Sequence, residues 1–137
     1  MNRIAFDLDG VFIPDCDIIP NLGGLVQFYQ ITVFMRPIFV PNGAYDIITA
    51  RDLKYKDITT TWLKKYFSNN LPNNLYHDCT VESPSEYKTR ILNQTPNIQT
   101  YIESDESIVN DLKSTVTTGC NIVLFKDYLA KGLKYEK

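Results

Sequence analysis

The sequence predicts an α/β fold: a mostly parallel five-stranded sheet covered by helices on both faces. Three observations predict it. Short apolar runs of strand length alternate about five times with segments of helical spacing. Turn signals separate these segments, and no long linker, internal repeat or low-complexity stretch divides the chain. Polar residues follow each apolar run, and in open α/β sheets ligands bind outside the carboxyl ends of the strands. The length of 137 residues suits a single domain over residues 1–137. A chain of that size buries roughly 70% of its unfolded surface, enough for a core without staples.

The elements follow in order. Arg3-Ile4-Ala5-Phe6 reads as a buried strand that runs into the loop Asp7-Leu8-Asp9-Gly10. Leu22 to Phe34 is apolar, is broken by Gly23-Gly24, and predicts a helix packed on the sheet. Arg36 to Val40, between Pro37 and Pro41, is a short extended passage, and Tyr45 to Thr49 is a second buried strand. Tyr55 to Phe67 places Ile58, Trp62 and Phe67 at helical spacing, with Lys54, Lys56, Lys64 and Lys65 on a solvated face. The run Asn69 to Asn74 is a turn, and Leu75 to Cys79 a short strand. Ser83-Pro84-Ser85-Glu86 has the form of a capped helix start with proline in the first turn. Gln99 to Glu103 is a strand, Glu106 to Val116 a helix, and Asn121 to Phe125 the last strand. The polar tail from Lys131 is expected to fray.

Composition narrows the function classes. The formal charge of −2 argues against a nucleic-acid binder that works by bulk electrostatics. The lone histidine, His77, leaves a histidine-based triad or a two-histidine metal site dependent on one residue, and by itself it reads as a satisfied polar residue near a strand end. Cys16, Cys79 and Cys120 are widely spaced without a CxxC pair, and read as reduced packing residues of a cytoplasmic protein. No apolar run approaches the roughly 18 residues of a membrane span. A strand-like run from the first residues leaves no room for a secretory signal.

The chemical signal is concentrated after the first strand. Asp7 and Asp9, two residues apart where a strand ends, place both carboxylates on one side of the backbone. Gly10 permits an unusual backbone angle and close approach of a ligand. Paired carboxylates repel and separate in pKa unless a cation lies between them. One can then serve as nucleophile or metal ligand while the other handles a proton. A hard cation such as Mg²⁺ suits an all-oxygen site that binds phosphate. An EF-hand loop starting at Asp7 fails, because Val11, Phe12 and Ile18 stand where a ligand, a glycine and a glutamate are needed.

Phe6-Asp7-Leu8-Asp9-Gly10-Val11-Phe12 resembles the first motif of the haloacid dehalogenase-like (HAD) superfamily of phosphatases. Three further motifs follow in the family's order: Tyr45 to Arg51, an apolar strand ending in Thr49; Lys88, near a helix start; and Glu103-Ser104-Asp105, an acidic cluster after a strand. The resemblance implies a Rossmann-like three-layer sandwich. It implies Asp7 as the nucleophile forming an aspartyl-phosphate, and Asp9 as acid and then base, with its backbone carbonyl on Mg²⁺. Thr49 and Lys88 would hold the phosphoryl oxygens, with Gly10 and Arg51 beside the substrate. Asp7, Asp9, Glu103 and Asp105 would form the metal site. One departure stands out: Ser104 occupies the position where the family usually carries an acid, leaving Glu103 and Asp105 as near-equal substitutes.

The family often encloses small substrates under a cap inserted after the first motif or between the second and third. Here each gap holds about 35 residues and must also supply core elements, so no sizeable cap fits and an open site is expected. Open sites suit a phosphorylated macromolecule or a protein partner that closes over them. Thr49-Ala50-Arg51-Asp52 and Thr59-Thr60-Thr61-Trp62-Leu63 also resemble the phosphatase domain of phage polynucleotide kinases. That similarity implies nucleotide or polynucleotide phosphate ends as substrate, and small phage or viral proteins as relatives. Two rivals come from other classes. A signalling receiver domain also uses an acidic pair, a threonine and a lysine, but no acidic cluster follows its lysine. A HAD-like scaffold that binds without turnover is the alternative that Ser104 keeps open.

Overall fold

The structure, a computed structural model, describes residues 3–14, 29 and 32–135, with side chains as far as Lys131. Its five strands are β1 (Arg3–Phe6), β2 (Asp46–Ile48), β3 (Asn74–Tyr76), β4 (Ile98–Glu103) and β5 (Asn121–Leu124). All pair in parallel, in the order β3-β2-β1-β4-β5. The described α-helices are α1 (Lys56–Tyr66), α2 (Pro84–Gln94), α3 (Glu106–Thr115) and α4 (Phe125–Tyr135). This is an open, Rossmann-like layout, and its strand order reverses between β1 and β4. The carboxyl ends of those two strands therefore flank the crevice where such sheets bind ligands.

Alternation along the strands builds two cores. Ala5, Ile48, Tyr101 and Ile122 point to one face, where Tyr87, Ile91 and Leu92 of α2 and Val109 and Leu112 of α3 cover them. Their neighbours Phe6, Ile47 and Ile102 point to the other face, against Trp62 and Leu63 of α1 and Phe125 and Tyr128 of α4. That second core is aromatic, with Phe6 in edge contact with Phe12, Tyr45 and Tyr128. Fully burying side chains of this size stabilises by about 1.5–3 kcal/mol each. At the amino end of the sheet, Arg3 Nε and Nη2 donate to Asp46 Oδ2 at 3.0 and 2.7 Å, fixing β1 beside β2.

Local signals account for most boundaries. Ser83 and Glu86 form a full capping box, which starts α2 with Pro84 in its first turn. Trp62 is 2% exposed and its Nε1–H donates to the Met35 carbonyl, so it is a core residue. Lys54, Lys56, Lys64 and Lys65 are exposed, as expected. Three expectations need revision. The third strand pairs over Asn74–Tyr76, and Cys79 makes only an isolated bridge with Asp52. Phe125 opens a helix instead of ending a strand, and the tail expected to fray continues that helix to Tyr135. The helix expected over Leu22 to Phe34 lies mostly outside the described residues, as does Cys16, and with them part of the gap in which a cap was judged not to fit. The gap from Arg51 to Lys88 is occupied by a 3₁₀ turn, α1 and β3. Among the described residues, no helix is long and apolar enough to cross a membrane.

Candidate functional site

The loop after β1 places the two aspartates differently. Asp7 continues the ladder, its N–H donating to the Ile102 carbonyl at 2.8 Å. The chain then turns: Val11 and Phe12 N–H donate to the Leu8 carbonyl, and Gly10 N–H donates to the Ile13 carbonyl. Gly10 has φ of +85°, a conformation for which the lack of a Cβ is needed. Asp7 is left 6% exposed at the end of β1, and Asp9 sits nearer the surface.

Asp7 belongs to a buried cluster. Lys88, on α2 and 2% exposed, donates from Nζ to Asp7 Oδ1 at 3.1 Å and to Glu103 Oε1 at 2.6 Å. Glu103, at the end of β4 and fully buried, also accepts from Tyr101 Oη at 2.8 Å and from the backbone N–H groups of Ser104 and Asp105. Two carboxylates thus share one ammonium. Burial and the charge of Glu103 push the Asp7 carboxyl well above its ordinary range, with Lys88 opposing. Burial also acts on Glu103, but Lys88 and the donated hydrogen bonds hold it below the usual value. Burial disfavours the charge on Lys88, yet Asp7 and Glu103 outweigh it and raise the ammonium's pKa.

Ser104 connects this cluster to Asp9. Its Oγ lies 3.0 Å from Asp7 Oδ2 and 3.0 Å from the Asp9 carbonyl oxygen. One hydroxyl at the strand-order reversal therefore lies within hydrogen-bond distance of both a carboxylate oxygen and a carbonyl. Asp105 turns the other way: it is exposed, and its Oδ1 accepts from the N–H groups of Ser107 and Ile108 as the N-cap of α3. Among the described residues, no group of three or more His, Cys, Asp or Glu side chains converges as a metal cage.

The second cluster is built on Arg51, which follows β2. Its Nε and Nη2 donate to Asp9 Oδ2 and Oδ1 at 2.9 and 2.7 Å, a bidentate pair. Arg51 is 3% exposed and its guanidinium lies 4.5 Å from the Tyr29 ring centroid. Its Nη1 donates to Thr59 Oγ1 at 3.1 Å, and Thr59 Oγ1 is 2.9 Å from His77 Nε2 and 3.1 Å from the Tyr55 carbonyl. The Thr59 hydroxyl has one proton to share between the Tyr55 carbonyl and His77 Nε2, and the His77 tautomer decides which of them takes it. Burial, then the charge of Arg51, lowers the His77 pKa to about 4. Thr49, 1% exposed at the end of β2, accepts the Arg51 backbone N–H at 3.2 Å.

The structure thus gathers Asp7, Lys88 and Glu103 in one cluster and Asp9 with Arg51 in the adjoining one, with Gly10 and Thr49 alongside. It leaves the Asp105 carboxylate outside both. Tyr101 and His77 are not assigned to the site by the sequence, and Thr59 enters there only as the first residue of the segment Thr59 to Leu63. Tyr101 had a usable signal, since it lies two residues before Glu103 on the same side of a strand. No protein-family model, curated protein or solved structure matches the chain.

Proposed function

We propose that the chain is an Mg²⁺-dependent phosphomonoester hydrolase of the HAD-like kind, acting through an aspartyl-phosphate. The observation that carries the reading is the pair of buried carboxylates, Asp7 and Glu103, that share one ammonium at the strand-order reversal, with the Ser104 hydroxyl joining Asp7 to the Asp9 carbonyl beside them. Ser104 Oγ lies 3.0 Å from both Asp7 Oδ2 and the Asp9 carbonyl oxygen, and these hard oxygen donors suit Mg²⁺ in their chemistry. Asp7, the Asp9 carbonyl and Ser104 would hold the cation. Bound there, it would favour the ionised Asp7 and offset charge on the phosphoryl oxygens.

The chain's own residues then divide the work. Asp7 attacks phosphorus through a carboxylate oxygen as the ester oxygen departs with a proton from Asp9. Asp9 next takes a proton from water, whose oxygen displaces Asp7 and releases inorganic phosphate. Arg51 donates one N–H to each Asp9 oxygen and so orients the carboxylate, leaving a lone pair on each for proton exchange. Lys88 balances charge at the nucleophile and Glu103 holds Lys88 in place. Thr49 offers its hydroxyl to the phosphoryl group, and Asp105 serves α3. Positioned acid–base groups contribute roughly 10²–10⁴-fold. Nucleotide or polynucleotide phosphate ends remain the proposed substrate class. Trp62 is not part of that recognition, because it is buried.

Hydrolysis of p-nitrophenyl phosphate tests the activity. Turnover should require Mg²⁺ and fall at least about 10³-fold in Asp7→Asn. Absence of turnover across divalent metals, or an unaffected mutant, refutes it. The Arg51 clamp on Asp9 favours one alternative, a scaffold that binds phosphorylated ligands without turnover; metal-dependent binding with no hydrolysis would identify it. A panel of phosphorylated oligonucleotides, nucleoside monophosphates and sugar phosphates tests the substrate class, which a preference for sugar phosphates contradicts.

A further inference from the structure

The outer edge of β5 is unlike the rest of the sheet. No strand pairs with it among the described residues. Edge strands are commonly blunted by proline, lysine or a bulge. β5 reads Asn-Ile-Val-Leu with none of these, and its only register partner is β4. A groove of about 550 Å³ runs along it, walled by α3 on one side and α4 on the other.

The charges on those walls are ordered. α3 leaves the carboxyl end of β4 and runs back to the amino end of β5, so Glu106 lies at the carboxyl end of the sheet and Lys113 at the amino end. α4 starts at the carboxyl end of β5 and also runs back, with Asp127 before Lys131. All four residues are exposed, and none forms an ion pair among the described residues. Each wall thus presents acid at one end and lysine at the other, with Asn110 and Ala130 between them.

We propose that this edge pairs with the same edge of a second copy, joining two sheets by antiparallel β5–β5 pairing about a two-fold axis. A two-fold axis perpendicular to the sheet reverses strand direction and keeps each face on its own side. Every acid then meets the second copy's lysine: Glu106 faces Lys113 and Asp127 faces Lys131, twice over. Asn110 and Ala130 fall near the axis. The pleat selects the register. Ile122 and Leu124 both pack toward the α2–α3 face, so with Val123 at the axis Ile122 lies opposite Leu124 of the second copy, with matching faces. A free peptide strand would satisfy the backbone groups but not the ordered charges, which is why a second copy is the occupant. The short edge and polar rim predict a reversible dimer at the small end of specific interfaces.

Sedimentation equilibrium of the intact chain up to about 0.5 mM protein should show mass rising from 15.8 kDa toward twice that value, less so in high salt. Two double variants probe the arrangement: Lys113→Glu/Lys131→Glu makes the edge wholly acidic, and Glu106→Lys/Asp127→Lys makes it wholly basic. Each alone should dimerise roughly tenfold more weakly. Mixed in equal amounts, they should form a heterodimer at least as tight as the wild type. A wild type that stays monomeric, or a dimer indifferent to either variant, overturns the proposal. So does a mixture that stays monomeric while both variants keep wild-type circular dichroism. If either variant fails to fold, a wild-type dimer must instead show backbone amide exchange protection of residues 121–124 that rises with concentration; unchanged exchange there overturns it.

Discussion

Two carboxylate clusters lie side by side at the carboxyl end of the sheet, and they differ in charge balance. Around Asp7, two buried carboxylates share the single ammonium of Lys88. Around Asp9, one partly accessible carboxylate meets one guanidinium with both hydrogen bonds made. With both carboxylates ionised the first cluster is one positive charge short, and the raised pKa of Asp7 shows how the protein alone meets this, by favouring a proton on Asp7. The second is balanced, with Asp9 partly accessible and Arg51 buried beside it. The difference teaches how adjacent aspartates can take separate roles. On the proposed function, the buried and fixed Asp7 suits a nucleophile and the more accessible Asp9 suits a proton carrier.

Removing the shared cation should break this contrast most severely. Lys88→Met leaves two carboxylates buried together, and losing one member of a buried pair costs about 3–5 kcal/mol. Urea unfolding at neutral pH should show that loss, and a destabilisation under 1 kcal/mol would mean that the cluster is open to water.

The His77 support of Arg51 sharpens the comparison through pH. Its folded pKa of about 4 lies below the ordinary 6.5, so the unfolded chain takes up the proton first as pH falls. The stability tied to neutral His77 is complete above pH 6.5 and is lost as pH falls toward 4. A shift of this size corresponds to roughly 3 kcal/mol across the window. Unfolding free energies at pH 7.5 and 4 should therefore fall by that much more in the wild type than in His77→Asn, and parallel profiles would exclude the effect.

A smaller effect is expected one step nearer to Asp9. Thr59→Val removes the oxygen that accepts from Arg51 and pairs with His77, leaving buried polar groups unsatisfied at a cost of about 1–3 kcal/mol. Because Arg51 then loses an anchor while its pair with Asp9 survives, the pH profile of hydrolysis should shift along with the stability. A stability loss with an unmoved profile would make Thr59 purely structural.

Much of this was legible in the sequence. The β1 and β2 strands, α1 and the capped start of α2 announced themselves through apolar runs, helical spacing and Ser83 with Glu86. The order of Asp7, Thr49, Lys88 and Glu103 pointed to a shared strand-end site. Lys88 by itself would read as a surface lysine, and its burial follows from long-range partners 81 and 15 residues away. Arg51 is 42 residues from Asp9, so their clamp depends on β1 lying beside β2. Asp105 shows the opposite difficulty. An acid before a helix has the same sequence form whether it binds metal or caps the N-terminus, and only its bonds to Ser107 and Ile108 separate the two. The last helix was hidden by its lysine-rich end, although Phe125 and Tyr128 already had helical spacing.

The proposal that a cation stabilises an ionised Asp7 is tested most directly by titrating Mg²⁺ calorimetrically into the wild type and Asp7→Asn at neutral pH. The asparagine variant leaves Lys88 and Glu103 balanced, so it should fold while losing the demand for a cation. The account predicts saturable binding of one Mg²⁺ to the wild type, weakened at least about tenfold in Asp7→Asn. Equal binding by both proteins, or binding by neither, would contradict it.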